Sequence, residues 1–495
     1  MNQILGILPT LIPICGAAAS FVAGIFSRRA RDVTIVLSVS VALGITTYML
    51  SFAMAGNSFA YGTVTANAAG LLVAEITLLV GFFATLYAIS EMKRDNSADF
   101  FHMILLIFIG SMTGLTLSFN LVTMFAFLEI STAAGGVLIL FSRTRNAISA
   151  AVVYIILSII GALCVLIGIF VTYTSSGTIL LSDPKLIQMD SETKMIVSAL
   201  FMAGFSVKAG IIPFGLVWLP RAHSEAPTPV SALLSGILVQ CAAFAMIRSV
   251  GPIALSDYAI STTILVLGVA SALVGAICAT LEVFGAKVPL FGFRRDLKRI
   301  LAFSTISEVG VIFVIVGVAG QPQFSIAIVL SAALIHILGH ALAKSLLFLS
   351  AGNVVHTVGT RDLSKLGGLA KKMPFTTFSF IIGGLSLSSI PPLLGYRTIY
   401  ELYIEFFNGE VNALTSSIII AAGITLAFYL ISFYRVFFRK NPEVTGNVVE
   451  RNVLTLVPIA ALDVILLVLG LGLFFGVLSL SHALLETLGM TVIGT

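Results

Sequence analysis

Charge is what this chain has least of. Of its 495 residues, 10% are Asp, Glu, Lys or Arg and 58% are hydrophobic, whereas a soluble globular domain carries about a quarter charged residues. A mean hydropathy of +1.10 agrees, and together these values exclude a soluble enzyme. Cysteine is scarce too. Cys15, Cys164, Cys241 and Cys278 sit in apolar runs without metal-ligand spacing, so no disulfide framework is expected and the four read as small buried hydrophobes. There is no Walker A loop and no dinucleotide-type GxGxxG, which leaves ATP and NAD without a site. Flavin, haem and iron–sulfur signatures are missing as well. No cofactor is expected, and any redox chemistry belongs to partners. No basic segment precedes the apolar residues 4–26, which therefore read as a spanning helix and not as a signal peptide.

Long apolar runs are what the chain has instead. A spanning helix takes about 20 such residues. The runs give fourteen spans: roughly 4–26, 33–54, 69–90, 101–118, 120–141, 147–173, 195–219, 231–250, 260–281, 300–319, 324–351, 375–407, 413–436 and 453–479. The fold class is an all-α polytopic membrane protein. If the first loop marks one side, 21 of the 27 Lys and Arg fall on that side, from Arg28 to Arg451. Lys185, Lys194 and Arg248 fall on the other, and Lys208, Lys344 and Arg397 lie inside spans. By the positive-inside rule the basic side is cytoplasmic, with both termini outside a cell (inner or plasma) membrane. The net charge of +5 is thereby a matter of topology, and no nucleic-acid partner is implied.

Two spans are broken by proline, the seventh at Lys208–Pro213 and the twelfth at Ser389–Gly395. Proline opens the helical ladder, and a bilayer tolerates the gap only inside protein or beside water. The breaks lie five spans apart. Five is odd, so spans 4–8 and 9–13 read as two inverted five-helix repeats, each broken at its fourth helix. Matched breaks point to an ion path near the midplane. The expected organisation is residues 1–100 (helices 1–3), 101–250 (first repeat), 251–440 (second repeat) and 441–495 (helix 14).

Ionisable residues in hydrocarbon are costly and usually functional. Glu129, Lys208, Glu308, His336, His340 and Lys344 lie within spans, and Arg397, Glu401 and Glu405 lie in or after the second break. His336, His340 and Lys344 recur at i, i+4 and i+8, along one helical face, a pattern suited to a proton relay. A metal is the rival reading, but two His and a Lys with no acid or Cys nearby make a poor ligand set. Glu129 and Lys208 suit a charge-coupled switch or, more blandly, a static buried pair. Glu75 and Asp463 read as span-end charges, and His102, His356 and His482 as solvated. Lys298 and Arg299 read as topology anchors or as the mouth of a proton path.

At these residues the chain resembles the antiporter-like membrane subunits of complex I, of Mrp sodium/proton antiporters (their A-type and D-type members) and of membrane-bound energy-converting hydrogenases. The resemblance rests on KAGIIPFGLVWLPRAHSEAPTPVSALLSG (208–236), DLKRILAFSTISEVG (296–310), HILGHALAKSLLFLSAGNVVHTVGTRDLSKLGGLAKKMP (336–374), SLSSIPPLLGY (386–396) and Glu129 in NLVTMFAFLEIS. It implies a Glu129–Lys208 ion pair and a central relay through His336, His340 and Lys344, with Lys298, Glu308, Arg397 and Glu401 as further candidates. It also implies partner membrane subunits, among them homologous antiporter-like ones, and in some assemblies peripheral redox subunits. Protons are the expected cargo, with sodium as the second candidate ion.

The departures from the family pattern are specific. Gln240 stands where many members have a lysine, Ile399 replaces the ionisable residue of the twelfth helix, Gly215 replaces a histidine, and Val153 precedes Tyr154 in place of lysine. Residues 282–295 look like an insertion. Arg397 is a poor substitute for a lysine because it barely deprotonates, and Glu401, two residues from position 399, is expected to face the other way. Three functions follow: a translocating subunit, a structural subunit that has lost pumping, or a stand-alone transporter.

Overall fold

The computed structural model describes residues 5–54, 59–61, 64–288, 291–408, 412–440, 449–450 and 453–476. Arg451, His482, the end of the last expected span and the side chain of Glu405 lie outside the described residues. The apolar runs become helices because a bilayer offers no water to backbone N–H and C=O groups. They are α1 (Leu8–Phe26), α2 (Arg28–Ala53), α3 (Ala68–Glu91), α4 (Ala98–Leu117), α5 (Leu121–Leu140) and α6 (Arg145–Ser176). Then come α7 (Ser191–Ala209), α8 (Phe214–Glu225), α9 (Thr228–Ser256), α10 (Tyr258–Phe284), α11 (Leu297–Ala319) and α12 (Ile326–Val358). The remainder are α13 (Pro374–Leu387), α14 (Leu394–Asn408), α15 (Asn412–Phe433) and α16 (Val453–Phe474).

The few polar residues between the runs set the boundaries. Asn67, Asn120, Thr144, Asp190, Asp257 and Asp296 each accept a backbone N–H of the helix they precede, which satisfies a donor the helix itself leaves free. The protein is a polytopic membrane protein: among the described residues thirteen helical spans, with α7 and α8 taken together, are long and apolar enough to cross a bilayer. The twelfth expected span is instead two shorter helices, α13 of 14 residues and α14 of 15. Both breaks contain a cis proline, Ile212–Pro213 and Pro391–Pro392. A third irregularity has no signal in the sequence. Helix α9 carries a π turn at Leu234–Leu238.

The centre of the bundle is α9, α11 and α12, whose apolar windows are 100%, 100% and 94% buried, against 28% for α2. Polar side chains on these three helices therefore face protein and not lipid. Helices α10 and α11 meet backbone to backbone. A Cβ added at Gly310 would stand 2.5 Å from the amide nitrogen of Ala272 and 2.8 Å from the Gly268 carbonyl. Such small-residue seams let helices approach closely in lipid.

The basic loops do gather at one end, and they bind one another there. Arg143 pairs with Asp95 at 2.9 Å, Arg361 with Glu225 and Asp296 at 2.6 Å each, and Arg299 with Glu282 at 3.2 Å. Arg435 reaches the Val283 carbonyl, and Arg439 those of Leu363 and Leu366. Residues 282–288 and 291–295 are part of this layer. Their strands β1 (Lys287–Val288) and β2 (Phe291–Gly292) pair antiparallel, Val288 opposite Phe291.

Candidate ion-translocation site

Three polar clusters lie in the bundle. The first is built around Lys208, in the last turn of α7 just before the break, with 1% of its surface exposed. Its Nζ donates to Thr132 Oγ1 at 2.5 Å and to the Tyr154 hydroxyl at 3.5 Å, and sits 4.8 Å from the Tyr154 ring centroid. Glu129, one turn before Thr132 on α5, is half-buried. The expected direct ion pair is not formed: among the described residues no Glu129–Lys208 contact falls within salt-bridge distance, and Thr132 stands between them. That hydroxyl has one proton and two acceptors, the Leu128 carbonyl at 2.8 Å and Glu129 Oε1 at 3.4 Å. It accepts from the lysine either way.

The second cluster runs along α12. His336, His340 and Lys344 lie on α12 at the spacing that puts them on one face. His336 Nε2 donates to the Glu308 carbonyl at 3.0 Å and lies 3.6 Å from its carboxylate. His340 is 1% exposed, and neither ring nitrogen has a protein partner. Lys344, fully buried, donates to the Leu301 carbonyl at 3.0 Å, to Ser304 and to the Tyr429 hydroxyl at 3.2 Å. At the other end Ser331 donates to Glu401 at 3.1 Å, and Arg397 pairs with Glu401 at 2.9 Å. Glu401 is thus buried, although its spacing puts it on the face of α14 opposite Ile399. Both are buried, because α12, α15 and α16 all pack on α14.

The sequence speaks against a metal because no acid stands near the histidines along the chain, and in the fold that premise fails. Glu308, His336 and His340 bring one ligand atom each within 4.8 Å of one another. His336 Nε2 is engaged by the Glu308 carbonyl, while both ring nitrogens of His340 are without a protein partner among the described residues.

The third cluster lies at the basic end. Lys298, 5% exposed, donates to the Ala226 carbonyl at 2.9 Å. Glu91 pairs with His356 at 3.0 Å and accepts the Thr228 amide at 3.3 Å. Just outside the span, burial pushes the Asp296 carboxyl up to about 6, although Arg361 beside it favours the charge. His356 is exposed, as expected, while it pairs with Glu91, whereas His102 is wholly buried with both nitrogens unpartnered among the described residues. Asp463 is likewise buried and accepts from Ser379. Sequence reasoning misses His223. It is fully buried, stacks on Phe348 at 4.9 Å, and has neither ring nitrogen partnered among the described residues. Its only signal is its place in the RAHSEAP run.

The departures have structural counterparts. A Cβ at Gly215 would fall on the Gly210 carbonyl, so no histidine fits there. Gln240 is buried with both amide atoms unpartnered, and Ile399 is 6% exposed.

Residues 118–428 match the profile of the NADH:quinone oxidoreductase/Mrp antiporter transmembrane family. The chain belongs to this family. Among its relatives, Hydrogenase-4 component B of Escherichia coli is 32% identical over 345 residues, 68% of this chain and 50% of the relative. A Na(+)/H(+) antiporter subunit of Alkalihalophilus pseudofirmus, the D-type one, is 26% identical over 395 residues, 78% and 76%. A chain in the Mrp complex from Dietzia sp. superposes with a TM-score of 0.82 at 21% identity, over 99% of this chain and 97% of that one. The chain thus spans half the length of the hydrogenase component and about three quarters of the antiporter subunit. It is an antiporter-like membrane subunit.

Proposed function

We propose that the chain moves protons across a cell membrane as one subunit of a multisubunit complex, with Glu129, Lys208, His336, His340 and Lys344 as the translocating groups. One observation carries this reading: Lys208 is sealed in the bundle, and Thr132, which accepts its hydrogen bond, has the half-buried Glu129 carboxylate 3.4 Å away. A charge change outside Glu129, in a neighbouring subunit, alters how well the lysine holds its proton. Glu308, the histidines and Lys344 continue a polar row along α12. Lys298 and Glu401, with Arg397, stand at the row's two approaches.

The two inverted repeats, the basic end as the cytoplasmic one, and both termini outside belong to the same reading. So does partnership with further membrane subunits, which the likeness to a chain of the Mrp complex supports. The drive is either redox chemistry in peripheral subunits or exchange against sodium. The lost ionisable residue at Ile399 favours the redox-linked form, since an antiporter needs a complete second route. Ile399 and the unpartnered Gln240 also favour a second reading, a coupling subunit without pumping of its own. Lys208→Ala and Glu129→Ala separate the two. Abolished proton movement in vesicles holding the assembled complex supports translocation. Coupled transport that persists in both variants sinks it.

A further inference from the structure

We propose that the basic end of the bundle holds an anionic phospholipid, its phosphate in a cavity between α6, α8, α11 and the 282–295 hairpin. The cavity encloses about 410 Å³ and is lined by Asn146, Ser149, Arg221, Arg294 and Arg299, among others. Its charge does not cancel. Glu225 at the wall is taken by Arg361 at 2.6 Å, and Arg299 is taken by Glu282 at 3.2 Å. Arg221 and Arg294 are exposed, and neither guanidinium forms a salt bridge among the described residues. Two positive charges therefore stand open in one concave site. The hairpin that carries Arg294 is held in place, because buried Glu282 accepts the Arg294 amide at 2.9 Å and the Asp296 amide at 3.1 Å.

The lining favours a lipid over a soluble anion. Ser149 begins an outward stripe on α6 that continues through Val152, Ile156, Ile159 and Leu163, exposed by 48%, 53%, 49% and 53%. Val217 of α8, 43% exposed, flanks the same opening. The cavity thus opens sideways onto apolar surface at the level where a spanning helix leaves the bilayer. A headgroup phosphate seated between Arg221 and Arg294 leaves its acyl chains on that stripe. Basic pockets between spanning helices on the cytoplasmic side suit such headgroups.

The test is native mass spectrometry of the purified, delipidated full chain, with dioleoylphosphatidylglycerol and dioleoylphosphatidylcholine added separately. The expected result is preferential retention of the phosphatidylglycerol, weakened about 5-fold for each of Arg221→Gln and Arg294→Gln, the worth of one basic residue at a membrane surface. Arg29→Gln and Lys93→Gln remove the same charge elsewhere at this end and leave retention unchanged. Thermal melting of every variant checks folding, and Arg294→Gln, which lies in a loop, carries the test if Arg221→Gln fails to fold. Equal retention of both lipids overturns the proposal. So does equal loss in the control variants, or full displacement by excess inorganic phosphate, which marks a soluble-anion site.

Discussion

Replacing Thr132 by valine tests whether Glu129 and Lys208 communicate through a hydroxyl. Valine keeps the shape and removes the oxygen that takes the Lys208 ammonium at 2.5 Å. What remains to the lysine among the described residues is the Tyr154 hydroxyl at 3.5 Å, too long to compensate. A hydrogen bond to a charged group contributes about 1.5–3 kcal/mol. If that link is part of the proton-transfer barrier, its loss slows translocation about 10- to 150-fold. The assay is dye-monitored proton uptake in inverted vesicles that hold the assembled complex, with Thr132→Ser as the restoring variant and immunoblotting to confirm equal assembly. Uptake by Thr132→Val within twofold of the parent, beside a dead Lys208→Ala, would show that the proton bypasses Thr132.

The same logic extends to Lys344. Tyr429→Phe removes one of its three hydrogen-bond partners and Ser304→Ala another; transport should fall in each and fall furthest in the double variant, and a rate indifferent to both would remove α15 from the path. At the α10–α11 seam, Gly310→Ala drives a methyl against backbone and should cost about 1–3 kcal/mol, read as a lower melting temperature in detergent. Gly423→Ala on exposed α15, where nothing lies within 4 Å of the added carbon, should be neutral or stabilising by up to about 1 kcal/mol. Melting shifts of equal size would contradict the seam. Asp296, raised to about 6, is protonated below that pH and ionised above it, so its ion pair with Arg361 forms only as the pH rises through 6. An infrared carboxyl band should fade across that range and be missing in Asp296→Asn; no difference between parent and variant would count against it.

Spans and the one-sided basic loops are readable because both are written along the chain. Helical spacing likewise puts His336, His340 and Lys344 on one face. What spacing cannot give is the partner across a helix–helix contact. Glu308 lies far from His336 in sequence, and α11 packed on α12 brings them together. The same holds for Ser304 and Tyr429 around Lys344, for Thr132 between Glu129 and Lys208, and for Glu91 beside His356. The split of the twelfth span into α13 and α14 is announced by its double proline but hidden by apolar residues on both sides. The burial of His102 has no one-dimensional signature, because nothing in its neighbours distinguishes an inward from an outward turn.

The layer of contacts at the basic end also ties distant helices of the bundle to one another. Arg361 ties α8 to the start of α11, Lys298 ties α11 to Ala226, and Glu91, Thr228 and His356 join α3, α9 and α12. Rocking one half of the bundle against the other, a motion of microseconds to milliseconds, breaks these ties together. Side-chain rotation breaks none of them and is far faster. Under the proposed function, such a frame favours proton movement by local rotation of lysine and hydroxyl side chains over rocking of one half of the bundle against the other.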